Sequence, residues 1–176
     1  MKFLSDIRLL LIALWLGGAV FFIAVAQAAF SVLADKELAG SVVGRSLSIV
    51  DYSGMVVAAI LIVTSILGSA RVNRLWLWVE RFLLLVMGAA CAAEEFVIGF
   101  WMSSIRSQIG GAIDNAAADD PLRIRFDQLH QYSEWILLAG MIAALITFFI
   151  ISNRVYAAIK AETKSDIYDF SKEFKT

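Results

Sequence analysis

Two adjacent glutamates, Glu94 and Glu95, stand out because they interrupt a long apolar stretch of the sequence. A carboxylate at mid-depth in a bilayer costs about 2.5–3.5 kcal/mol even on the lenient insertion scale, so something must compensate for it. His130 and Glu134 are four residues apart, a spacing that lets both side chains reach one ion from a single helix face. These residue types could bind a metal or carry a proton.

Other apolar stretches also carry isolated polar residues, namely Gln27 in the first and Asp51 at the start of the second. We expect these groups to form one polar layer with the glutamates and the histidine. Adjacent helical residues point about 100° apart, so only one glutamate can lie on the small-residue face of the third stretch. We predict that this residue is Glu95 and that Glu94 faces a different neighbour.

Three interpretations of this layer remain open at the level of sequence. The polar groups could hydrogen-bond one another and fix the register of the helices. They could instead bind a divalent transition metal, because mixed carboxylate and imidazole ligands suit manganese, iron, zinc or copper(II). They could also form a path for a proton or a substrate, or flank a quinone or a lipid headgroup. The candidate metal ligands are Asp51, Glu94, Glu95, His130 and Glu134.

The elements that must position these residues are membrane helices. Of the 176 residues, 60% are hydrophobic and 18% are charged, and the mean hydropathy is +0.78. This balance is richer in apolar residues than that of ordinary soluble domains. One Cys and one His exclude an internal disulfide, a Cys-pair zinc site and a bis-His haem from this chain alone. A net charge of -1 argues against nucleic acid as a partner.

Four stretches reach the roughly 20 residues that a helix needs to cross the hydrocarbon core. We predict an all-α, integral membrane four-helix bundle with spans at about 9–34, 52–70, 75–105 and 121–155. The segment between the first two spans carries Gly40 and Gly44 four residues apart, which suggests that the second helix begins early. Asp120 is predicted as the N-cap of the last helix, with Pro121 at its first position. Residues 1–156 form the predicted transmembrane domain and 157–176 a cytoplasmic tail.

The distribution of Lys and Arg predicts the orientation of the chain. Ten of the fifteen lie on the side of the two termini and five on the other side, so both termini are expected to be cytoplasmic in an inner (plasma) membrane. The apolar start resembles a signal peptide, but its length predicts an uncleaved first helix.

No phosphate-binding loop, nucleophile elbow or other catalytic motif is apparent, and Cys91 lies in an apolar run where a packing role is expected. The sequence therefore predicts a non-enzymatic protein that is metal- or proton-linked. The leading alternative is an accessory subunit of a larger membrane complex, and a homo-oligomer is a further possibility. An enzyme acting on a lipid or quinone is a less favoured class. The cofactor, if it is not a divalent transition metal, is unknown.

Three sets of residues carry a resemblance to a known family. They are Leu14-Trp15-Leu16-Gly17-Gly18 with Val20-Phe21-Phe22, the segment from Ala39-Gly40 to Val43-Gly44, and Phe126 through His130 to Ser133. Over roughly its first 155 residues the chain resembles the transmembrane protein 205-like family of small four-helix membrane proteins, many of unknown function. The broader relatives look like CopD-type copper-resistance membrane proteins, which implies a link to metal handling. His130 is the polar position that this resemblance carries over.

Overall fold

The described part of the chain is built from helices in the computed structural model, which describes residues 2–67, 74–110, 113, 116–117 and 119–173. Its side chains are described within 4–66, 74–110, 113, 116–117 and 119–154. The helices are α1 (Lys2–Val32), α2 (Lys36–Leu67), α3 (Arg74–Ala93), a π-helical segment (Glu94–Ile98), α4 (Gly99–Ile109) and α5 (Pro121–Glu173). The segments α3, π and α4 follow one another without a break, so they act as one long helix.

Four of these helical stretches are long and apolar enough to cross a membrane: Leu4–Val32, Lys36–Ile66, Arg74–Ile109 and Pro121–Arg154. Large apolar side chains cover their outer surfaces; Phe21, Phe82 and Phe100 are each more than 60% exposed. Such a surface suits lipid, whereas a soluble monomer rarely exposes a continuous apolar surface of this kind. The predicted all-α, integral membrane four-helix bundle is confirmed.

The helix ends follow local capping rules. Asp35 caps α2 because its Oδ1 accepts hydrogen bonds from the backbone N–H groups of Glu37 and Leu38, at 2.9 and 3.1 Å. Asp120 caps α5 in the same way through the N–H of Leu122, at 2.8 Å, with Pro121 at the first helical position as predicted. At the end of α4, Gly110 takes the left-handed conformation with φ 68°, which stops the helix.

The observed helix bounds differ from the predicted spans in three places. The second helix begins at Lys36, well before the span predicted from residue 52, as the glycine spacing suggested. The third span contains a π-helical turn that the apolar pattern did not indicate. The last helix continues to Glu173, past the predicted boundary at residue 156 between domain and tail. The predicted end of the second span (68–70) and the last three residues of the tail (174–176) lie outside the described residues.

The helices pack in a ring in which α1 contacts α2 and α5, and α3 also contacts α2 and α5. We call the end of the bundle where α1 begins the terminal end and the end that carries the α1–α2 connection the loop end. The helix α3 presents its interior side chains every three or four residues, the spacing of a bundle seam. This buried stripe consists of Leu77, Glu80, Leu84, Met87, Cys91, Glu94 and Ile98.

Candidate functional site

Glu94, rather than Glu95, is the interior carboxylate of the third span. Its residue surface is 4% exposed, and the Ser133 hydroxyl on α5 donates a hydrogen bond to its Oε1. Glu95 is only half-buried. Glu94 thus faces α5 together with the larger apolar side chains of the buried stripe, and the small-residue face, on which Glu95 is predicted to lie, is not the bundle interior.

The small residues of the third span lie on a different face from the one that holds Glu94. Gly88 lies against α2, where an added Cβ would be 3.3 Å from the Cβ of Ala58. Gly99, at the other end of the predicted stripe of small residues (Gly88, Ala92 and Gly99), is exposed. These small residues therefore allow α2 and α3 to approach each other at Gly88, but they do not mark the centre of the bundle.

The π-helical turn begins at Glu94 itself. The backbone N–H of Gly99 donates to the carbonyl of Glu94, five residues earlier, instead of the four of an α-helix. Single π turns of this kind occur frequently at functional sites, because they widen the helix and change the direction of the side chains that follow. Here the widened turn coincides with a buried ionisable residue.

Asp51 on α2 is the second interior carboxylate, with only 1% of its surface exposed. Its charge interacts with those of Glu94 and Glu95, and the Cys91 thiol lies beside it. Asp51 Oδ2 and Glu94 Oε2 are both buried and have no hydrogen-bond partner among the described residues. Two acidic side chains from neighbouring helices thus lie in the interior, near enough for their charges to interact, and each has one oxygen unsatisfied among the described residues. We call Asp51 and Glu94 the carboxylate pair.

Close helix packing surrounds the carboxylate pair. The Trp15 indole on α1 donates a hydrogen bond to the carbonyl of Val50, at 3.0 Å. A Cβ added at Gly54 would lie 2.6 Å from the Cys91 sulfur and 2.7 Å from the Trp15 indole nitrogen. Only glycine fits where α1, α2 and α3 approach one another here, so the site is held by three helices.

Of the remaining predicted polar residues, Gln27, His130 and Glu134 are exposed, and Glu95 is half-buried. On α5, His130 Nε2 is 3.6 Å from Glu134 Oε1, and the two side chains are 52% and 70% exposed. His130 is close enough to Glu94 for a protonated imidazole to interact with that carboxylate through space. Glu95 lies close to the hydroxyl of Tyr52, and Gln27 is exposed on α1.

The predicted polar layer is therefore divided. Asp51 and Glu94 are both buried in the interior, Glu95 is half-buried at its edge, and His130 with Glu134 forms a pair on the surface of α5. Within the part of the chain that the structure describes, no three His, Cys, Asp or Glu side chains are grouped closely enough to hold one metal ion.

Sequence reasoning missed a second buried polar group at the terminal end. Glu80 on α3 is fully buried and accepts hydrogen bonds from Arg8 of α1 at Oε1 and from Arg154 of α5 at Oε2. The neighbouring Arg81 donates to the Ser65 carbonyl on α2, at 2.9 Å. We call Arg8, Glu80 and Arg154 the arginine cluster. Its signal in the sequence is a charged residue near the terminal end of each of three spans, a pattern that otherwise serves only to predict orientation.

An apolar block separates the two polar groups. The carboxylate Glu94 lies fourteen residues after Glu80, or about 21 Å along the helix. The interior between them is filled by side chains with no measurable exposure: Ile12, Leu61, Leu84, Met87 and Ala144. The buried hydroxyl of Thr147 bonds to its own helix at the Ala143 carbonyl, 2.8 Å away.

The fold and the site define a class: a multi-pass, all-helical membrane protein whose interior holds a pair of carboxylates and, near the terminal end, an arginine cluster.

A family model described as a domain of unknown function, DUF4149, matches residues 10–110. That match covers more than half of the chain, which therefore belongs to this family. No curated protein and no solved structure is similar enough to the chain to count as a match. The likeness to the transmembrane protein 205-like family stays a prediction.

Proposed function

We propose that this chain is a proton-linked membrane protein in which the carboxylate pair, Asp51 and Glu94, holds a proton that it exchanges with the loop side of the membrane. One observation carries the proposal: both side chains are almost fully buried, and each has one oxygen without a partner among the described residues.

A bound proton resolves two costs of this arrangement at once. Two ionised carboxylates that interact in a low-dielectric interior repel each other strongly. A proton on one of them removes that repulsion, and it also supplies an O–H donor where the two acceptors otherwise have none. Carboxylates buried in this way are the groups that membrane proteins use to bind and release protons.

The charges near the pair favour exchange from the loop end. His130 interacts with Glu94 and forms an exposed pair with Glu134, so a titratable group connects the buried carboxylate with the surface of α5. Towards the terminal end the described side chains of the apolar block offer no free hydroxyl or carboxyl group, since the Thr147 hydroxyl is bonded within its own helix. The geometry therefore supports proton binding from one side better than conduction through the bundle.

A divalent transition metal bound by Asp51, Glu94, Glu95, His130 and Glu134 receives less support from the geometry. Metal sites require several ligands at about 2 Å from one point, whereas two of these residues are buried and two are exposed on α5. Elemental analysis of the purified protein is the direct check. Near-stoichiometric metal that is lost in Glu94→Gln and in His130→Ala would show that the site binds a metal ion, and the proposal of a bound proton would then be abandoned.

Infrared titration of the protein in lipid vesicles tests the proposal. We expect a protonated-carboxyl band that responds to the external pH, shifts in deuterated water and disappears in Asp51→Asn or Glu94→Gln. The control is Glu37→Gln, which removes an exposed carboxylate from the first turn of α2 and should leave the band intact. A wild-type protein with no titrating carboxyl band, or a band that survives in both buried variants, would overturn the proposal.

An accessory role in a larger membrane complex is the second candidate, and the length of α5 favours it. This helix has 53 residues, or about 80 Å at 1.5 Å per residue, against a hydrocarbon core of about 30 Å. Much of it must therefore project from the bilayer, where a partner could bind. Native purification distinguishes the candidates: a stoichiometric heterologous complex supports the accessory role, and a stable monomer or homo-oligomer opposes it.

A further inference from the structure

The arginine cluster contains more positive charge than its own acidic group can neutralise. Glu80 accepts from both Arg8 and Arg154, so two guanidinium groups share one carboxylate and the cluster carries a net charge of +1. Both oxygens of Glu80 are covered by these contacts. The surplus charge must therefore be balanced by a group outside the cluster.

Two donor atoms of the cluster lack an acceptor. Arg8 Nε and the second terminal nitrogen of Arg154 are buried and have no hydrogen-bond partner among the described residues. The Arg8 residue is 9% exposed, and its terminal nitrogen also donates to the Leu61 carbonyl, at 3.3 Å. The Arg154 side chain is 23% exposed, so the cluster can be reached from the bundle surface. Buried donors without acceptors are costly, and an anion supplies the missing acceptors.

The depth of the cluster indicates which kind of anion can reach it. Trp76 and Trp78 begin the same helix two to four residues before Glu80, and both are more than 50% exposed. Exposed tryptophans at the start of a membrane helix mark the level of the lipid headgroups. The phosphate groups of phospholipids lie at this level, next to a partly open arginine.

We propose that Arg8 and Arg154 bind the phosphate group of an anionic phospholipid at the terminal end of the bundle. Guanidinium groups match phosphate oxygens in geometry as well as in charge, and basic pockets between membrane helices bind such headgroups. The acyl chains then lie along the apolar outer surface of the bundle. Glu80 acts as a positioning residue that holds the two guanidinium groups side by side. This inference is independent of the proposed proton site.

Native mass spectrometry of the protein in mild detergent, with equimolar phosphatidylglycerol and phosphatidylcholine, tests the site. We expect the wild type to retain phosphatidylglycerol several-fold over phosphatidylcholine and Arg154→Gln to lose that preference. The matched control is Arg74→Gln, which removes an exposed charge at the same end of the bundle and should keep the preference. Circular dichroism checks that each variant keeps its helices.

The remaining outcomes each decide against the site. A wild-type protein that retains both lipids equally would overturn the proposed site, and that result does not depend on whether any variant folds. Equal losses in Arg74→Gln and Arg154→Gln would mean general attraction of anionic lipid to a basic surface. If inorganic phosphate alone competed as well as phosphatidylglycerol, the ligand would be a free anion and not a lipid.

Discussion

At the scale of single residues, the hydrogen bond between Ser133 and Glu94 joins α5 to α3 at the carboxylate pair. Ser133→Ala removes the donor and leaves a second oxygen of Glu94 unsatisfied. We expect the free energy of unfolding in detergent to fall by about 1 kcal/mol, in line with interhelical hydrogen bonds in membrane proteins. Denaturation of the purified variant measures this loss.

The matched control for this prediction is Ser53→Ala on α2. Ser53 is exposed, and its hydroxyl bonds only to the Val50 carbonyl of its own helix, at 2.9 Å. The same change of side chain there should leave the unfolding free energy nearly unaltered. Equal effects of the two substitutions would mean that the contact with Glu94 contributes nothing specific.

The buried polar groups also mark the limit of what the sequence could predict. The composition showed that Glu94 and Glu95 needed compensation, but it could not decide which one faces inward. That choice depends on the rotation of the helix, which is set by large buried side chains such as Leu84 and Met87. The contacts of Glu80 were missed for a related reason, because ion pairs between helices depend on how the spans are arranged in the ring.

At the scale of helices, the site depends on the close approach of α1, α2 and α3 at Gly54. The substitution Gly54→Ala would place a Cβ 2.6 Å from the Cys91 sulfur and 2.7 Å from the Trp15 indole nitrogen. Something must move, and overpacking of this kind costs about 1–3 kcal/mol. We expect a loss of that size in the free energy of unfolding, measured by denaturation in detergent.

Two further variants assign this loss to packing between helices. Gly44→Ala changes a glycine of the same helix where an added Cβ would meet no atom within 4 Å, so it should be neutral or slightly stabilising. Adding Cys91→Ala to Gly54→Ala removes the clashing sulfur and should restore part of the lost stability. A loss at Gly44 equal to that at Gly54 would point to helix propensity instead.

The helix boundaries were more predictable than the contacts, because they depend on local chemistry. Asp120 and Pro121 begin α5 as their types predict, since a capping oxygen and a residue without an N–H suit a helix start. The apolar lengths also gave the four spans. The π turn at Glu94–Ile98 had no signal in the apolar pattern, because it changes the hydrogen-bond register without interrupting the run.

At the scale of the whole molecule, both proposals depend on which side of the membrane each end of the bundle faces. The buried polar groups lie at different levels, with the carboxylate pair near the middle of α2 and the arginine cluster near the terminal end. The excess of Lys and Arg beside the termini predicts that the terminal end is cytoplasmic. The carboxylate pair would then exchange protons with the external medium, and the arginine cluster would bind lipid of the inner leaflet.

Cysteine labelling in intact cells tests this orientation. The native Cys91 is buried, so a membrane-impermeant maleimide should give little background. We expect Ala117→Cys, an exposed position in the connection before α5, to be labelled from outside, and Asp6→Cys, exposed near the start of α1, to be labelled only after the cells are opened. The reverse pattern would invert the chain, assign the carboxylate pair to the cytoplasmic side and require the lipid site in the outer leaflet.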